Sequence, residues 1–228
     1  MRFFAFVLAL LTVSANAKAT ELNGDDWTMK LRAEGDQNAQ NVALSRKKLS
    51  LAFMVTTGRT SQPIGHYEYC KVYISDCNII DKDTRPVRLT EERMTEMVKV
   101  NDTINAKVKP MTDLEFYKRE ELWAYPEDFG DCEDYVLAKR AELMLKGWPV
   151  SSLLITVVKQ ANGDGHAVLT VRTDQGDFVL DNLESRIALW SQRAYEFVKR
   201  VSPGHSGQWE KITDNRAVAT AATSALKN

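Results

Sequence analysis

The chain has 228 residues, and its 30 lysines and arginines against 31 acids leave a formal net charge of −1. That balance offers no basic field for nucleic acid, and the length suits one domain with a proper core plus an extension rather than two ordinary domains. Beyond the first residues, no stretch stays apolar for the roughly 20 residues that a membrane-spanning helix requires.

Met1-Arg2, the apolar run Phe3 to Val13 and then Ser14-Ala15-Asn16-Ala17 read as a charged end, an apolar region and a small-residue cleavage site. The expectation is a signal peptide over 1–17 and a soluble exported product, which in a Gram-negative host means the periplasm. Residues 18–60 are polar and weakly periodic apart from Leu49 to Val55, an extension with room for one strand. The domain proper is expected over 61–213, and 214–228 is an Ala-rich tail without a core face. Tyr67, Cys70 and Ile74 stand at helical spacing after Pro63-Ile64-Gly65 and predict a short helix pinned by Cys70 and Cys77. A bridge between those two would close a small loop and leave Cys132 as a free thiol; the alternative is three buried, reduced cysteines.

Arg85 to Leu89 is a candidate edge strand or linker. Thr90 as N-cap with Glu91 and Glu92 in the first turn predicts a helix to about Val108, ended by Pro110. Met111 to Phe129 reads as a loop leading into the site. Asp131 then caps a further helix by accepting from the N–H of Asp134, with Leu137, Ala141, Met144 and Leu145 as its apolar stripe and Gly147 with Pro149 as its stop. Leu153 to Val158, His166 to Thr173 and Phe178 to Leu180 form an antiparallel meander, and Tyr195 to Val201 and Gln208 to Ile212 add two strands.

This layout sets a thiol where a helix begins and an imidazole and a carboxylate on neighbouring strands, in the order Cys132, His166, Asp181. A helix N-terminus favours the Cys132 thiolate, whereas Asp131, Glu133 and Asp134 oppose it, so the sign of the shift stays open. A tight turn centred on Gln175-Gly176 leaves His166 and Asp181 out of line, so the triad is expected to need a longer loop or a bulge. Taken singly, a Cys is more often packing and a strand His more often a satisfied core or surface residue. His66 and His205 stay unassigned.

The run Trp123-Ala124-x-Pro126-Glu127, then Gly130-Asp131-Cys132-Glu133-Asp134-Tyr135 with Ala138-Lys139, Gly147-Trp148-Pro149, Gly165-His166 and Val179-Leu180-Asp181-Asn182 resembles the bacterial transglutaminase-like cysteine peptidases. The similarity runs from about Ser61 to Ile212. It implies an α+β fold of papain-like, transglutaminase type, with the nucleophile at a helix N-terminus packed on an antiparallel sheet. In that fold Cys132 is the nucleophile, His166 the general base and acid, and Asp181 the residue that orients the imidazole. The best-known members are periplasmic proteases that clip a surface adhesin and need calcium, and the matching metal positions are Asp131, Glu133 and Asp134. The chemistry itself needs no cofactor. A thiol hydrolase acting on a protein or peptide, with a cell-surface protein as one candidate substrate, is therefore expected. Two alternatives stand beside it: acyl transfer to an amine by the same triad, and a non-catalytic calcium-responsive binding module.

Overall fold

The computed structural model describes residues 24–214 and Arg216. The expected signal peptide lies outside the described residues, and so does the tail apart from Asp214 and Arg216. None of the described helices is long and apolar enough to cross a membrane.

The chain divides into two compact units between Ser45 and Arg46. In the first, helix α1 (Gly24–Ser50, which continues past the division) is exposed at every position from 32 to 45. A helix that is polar all round has no apolar stripe, so periodicity could not reveal it, although Ala, Leu, Gln, Lys and Arg supply ample helix propensity. The polar extension therefore holds this helix as well as a strand.

In the second unit β1 (Val55–Thr60) is followed by α2 (Ile64–Val72), α3 (Ile74–Cys77) and α4 (Glu91–Lys107). Next come β2 (Lys109–Pro110), α5 (Asp113–Phe116), β3 (Phe129–Gly130) and α6 (Cys132–Leu145). The meander is β4 (Leu153–Lys159), β5 (Gly165–Thr173) and β6 (Gly176–Leu180), followed by β7 (Ala188–Leu189), β8 (Glu196–Ser202) and β9 (His205–Thr213). Seven of these strands make one antiparallel sheet in the order β1-β9-β8-β4-β5-β6-β7. Its period of two is plain in the packing: Leu169, Val171 and Leu180 join Met97, Val100, Leu137 and Leu143 of the helices, while Val168 and Val179 join Trp190, Phe197 and Ile212 on the other face. Burial on both faces is why the central strands read as continuous β-branched runs.

Local signals held where one residue type carries the physics. Thr90 caps α4 by accepting from the N–H of Arg93, and Cys70 is bridged to Cys77, leaving Cys132 free. Apolar spacing alone does not set the buried faces of α2 and α6. On α2 the buried residues are Gly65, His66 and Tyr69, whereas Tyr67 and Ile74 face solvent. On α6 Leu145 is 84% exposed, and the buried face includes Lys139 and Arg140. Asp131 holds the N-cap position of α6, but its side chain makes no capping bond; it accepts from the N–H of Asp113 at 3.3 Å instead.

His66 sits among Trp123, Trp209 and Tyr69, and its Nδ1 accepts from the indole N–H of Trp209 at 3.2 Å. Burial, with Arg140 nearby, pushes its pKa from 6.5 down to about 4. The folded state therefore favours neutral imidazole. This stabilisation is complete above the unfolded value of 6.5 and is lost as pH falls through the folded value of about 4. Urea unfolding is expected to show a loss of about 3 kcal/mol between those limits, at about 1.4 kcal/mol per unit, that is absent from His66→Gln.

Candidate active site

The meander positions two of the three expected residues. Thr173 pairs with Gly176 and Leu169 with Leu180, so the hairpin turns through Asp174 and Gln175. Gly176 begins β6 at φ +135°, and a Cβ there would lie 2.8 Å from the Ala52 carbonyl oxygen. Continued by one step, this register sets Asp181 across from Val168, which makes His166 its diagonal neighbour on the same face. The tight turn thus brings the pair together by itself, and the expected longer loop or bulge is not needed. His166 Nε2 lies 2.9 Å from Asp181 Oδ1, with both side chains buried.

Asp181 has two further donors. The N–H of Leu183 donates to Oδ1 at 3.0 Å, and the Tyr195 hydroxyl donates to Oδ2 at 2.6 Å. Burial alone would raise the Asp181 pKa, but His166 and Tyr195 outweigh it and hold the carboxyl below its usual range. The Tyr195 ring also packs against the imidazole, 5.5 Å between centroids. The sequence marked Tyr195 only as the start of a strand.

Cys132 opens α6, in the first turn, where backbone N–H groups lack helical acceptors. It shares a cavity of about 250 Å³ with His166, Ala167, Trp123, Glu133 and Lys199. Asp181 holds Nε2, which leaves Nδ1 as the imidazole nitrogen able to serve the thiol. The thiol itself donates to Glu133 Oε2 at 3.1 Å. Burial first, and Glu133 second, push its pKa up, while the Ala167 N–H works the other way. The sign left open by the sequence is therefore upward.

Three carboxylates gather beside Cys132, with oxygens of Asp113, Asp131 and Asp134 all within 4.8 Å of one another. Glu133, the third member expected, is turned to the thiol. The reason is helical: Asp131 and Asp134 stand three apart and share a face, whereas Glu133 projects about 100° away. Asp113 takes the third place because β2 and β3 pair in parallel, Lys109 with Phe129 and Pro110 with Gly130, which draws α5 up to the start of α6. Its one sequence signal is the capping box of Thr112 and Glu115 around it. Burial, with Asp131 and Asp113 nearby, pushes Asp134 up to about 7. Asp131 Oδ1 and Asp134 Oδ2 are buried without a donor among the described residues. Three clustered carboxylates, two of them with an orphaned hard oxygen, fit a calcium ion. The other candidate cluster, His66 with Cys70 and Cys77, is spent on the disulfide.

Residues 56–217 match the family model described as bacterial transglutaminase-like cysteine proteinase, BTLCP. Calcium-bound LapG of Legionella pneumophila is 26% identical over 48% of this chain and 65% of its own, with a TM-score of 0.43, so the chain spans just under two thirds of that protein. A second LapG structure gives 26% identity, 57% and 74% coverage and a TM-score of 0.45. The EGTA-treated form gives 22%, 72% and 89%, and 0.45. No curated protein sequence matches the chain.

Proposed function

Since the chain belongs to the bacterial transglutaminase-like cysteine proteinases, we propose that it is an exported peptidase in which Cys132, His166 and Asp181 cleave a protein substrate. The observation that carries this reading is the buried 2.9 Å His166–Asp181 pair, whose imidazole lines the same cavity as the free thiol.

In the proposed reaction His166 Nδ1 takes the thiol proton as Cys132 Sγ attacks the amide carbonyl carbon. N–H groups at the start of α6 receive the developing oxyanion. Collapse breaks the C–N bond, and the imidazolium returns its proton to the leaving amine. Water, deprotonated by His166, then attacks the thioester; the acid departs and the thiol re-forms. Asp181, itself held by Tyr195 and the Leu183 N–H, fixes the ring through both steps.

Asp113, Asp131 and Asp134 are the residues that would hold calcium, with the orphaned oxygens of Asp131 and Asp134 as support. A bound divalent charge would offset the carboxylates that disfavour the Cys132 thiolate. Export to the periplasm is supported by the signal-like residues 1–17 and by the disulfide, which suits an oxidising compartment. A cell-surface protein is the substrate class proposed.

The test uses purified protein, periplasmic and outer-membrane proteins as substrate, and mass spectrometry of newly formed N-termini. Wild type in calcium is expected to create new termini. Cys132→Ala creates none, and EGTA or Asp134→Asn reduces them strongly. Incorporation of a labelled amine without new termini would make the protein a transferase, and neither product would refute the enzymatic reading.

A further inference from the structure

Helix α6 carries a charged side chain that the reaction above does not use. Lys139 follows Cys132 by seven residues, two turns along the same face, and is fully buried. Its Nζ has no hydrogen-bond partner among the described residues. The nearest recorded ring is Tyr135, 5.7 Å away, whose hydroxyl is spent on the Val108 carbonyl. An ammonium in such a place is heavily penalised, and an apolar side chain of the same size would remove the penalty. Burial draws its pKa from 10.5 down to about 7, while two carboxylates, Asp181 and Asp102, support the charged form.

Unpartnered acceptors lie on α4, the helix that packs against α6. Asn101 and Asn105 are one turn apart and share a face. The amide of Asn101 donates to the Ser185 carbonyl at 2.9 Å, and that of Asn105 to the Asp181 carbonyl at 2.8 Å. Both thereby grip the loop that carries the triad acid. Their own Oδ1 atoms are buried and lack donors among the described residues. An ammonium has three protons to give and an amide oxygen can only accept, so an unpartnered Lys139 and two unpartnered oxygens are complementary deficits in neighbouring elements.

We propose that Lys139 is a positioning residue for Asp181: its ammonium closes a buried polar network with Asn101 and Asn105, directly or through one water, and so fixes the 181–185 loop. The thiol and the acid then take their register from one helix, Cys132 at its start and Lys139 two turns further on. This deepens the peptidase reading and rests on it for its kinetic readout.

Lys139→Met removes the charge and keeps the bulk. The expected result is an unchanged or higher Tm, a kcat lower by about 100-fold from a slightly misplaced imidazole, and little change in KM. The 2.9 Å His166–Asp181 bond is expected to give wild type a low-field Nε2 proton by NMR, and in Lys139→Met that proton should broaden away. Met97→Ala, which opens a cavity in α4 at the same helix pair, should lower Tm while keeping that proton and most of kcat. Unchanged kcat in Lys139→Met would overturn the proposal. So would a loss of kcat that travels with a loss of Tm and is reproduced by Met97→Ala, since that is the signature of packing. If wild type cleaves nothing, the peptidase reading fails separately, and a His166 proton that persists in Lys139→Met would still refute the positioning role.

Discussion

Cys132→Ala is expected to abolish peptidase activity, by roughly six orders of magnitude in kcat where the uncatalysed rate can be followed. The residue at stake is half-buried and lines a cavity, where its thiol donates to Glu133 and faces the Ala167 N–H. The substitution removes the proposed nucleophile and little else, so stability should stay within about 0.5 kcal/mol of wild type. It also takes from Glu133 a donor that favours its ionised form. Cleavage of a peptide drawn from the substrate screen, together with urea unfolding, checks both halves. A variant that keeps one hundredth of wild-type activity would place the nucleophile elsewhere.

Asp181→Asn should cost about four orders of magnitude in kcat through a different route. The carboxylate accepts from three donors: the imidazole, the Tyr195 hydroxyl and the Leu183 N–H. An amide presents one oxygen and one NH2 to that set: with the NH2 towards the imidazole, Nε2 must accept and the ring takes the other tautomer, and in the opposite orientation the Tyr195 hydroxyl must turn round to accept, so the charge that holds the ring is lost either way. Acid stability carries a second signature. The Asp181 pKa is lowered in the fold, so its contribution is present above the unfolded carboxylate value and is lost as pH falls through the folded one. The variant should lack that part of the acid limb in urea titrations. A loss below tenfold would mean that His166 is oriented by its packing alone.

The sequence made some of this legible, for reasons that differ by residue. The place of Cys132 as a free thiol opening a helix was legible because thiol, capping residue and glycine stand in one short segment. The β4 to β6 meander was visible because turn residues punctuate runs of branched side chains. Tyr195 and Asp113 were not legible, because each reaches the site by long-range pairing: Tyr195 through the return to β8, Asp113 through the β2–β3 pair. Lys139 escaped for another reason. A lysine in a helix is normally given to solvent, and only the packing of α4 and α6 around it reveals otherwise. In the hairpin His166 and Asp181 are not directly opposite, yet diagonal partners on one face are close enough to bond.

The bridge between Cys70 and Cys77 has a practical consequence at the bench. It ties down the segment holding Asp76, whose carboxylate receives the hydroxyls of Tyr69 and Tyr125 at 2.5 and 2.7 Å. Tyr125 belongs to the stretch that also brings Trp123 to the cavity wall. Dithiothreitol, the habitual additive for thiol enzymes, therefore meets two sulfur sites with opposed requirements: Cys132 must be kept reduced, while the wall beside it depends on an oxidised pair. Mild monothiol at low concentration, or none, is the buffer this arrangement calls for.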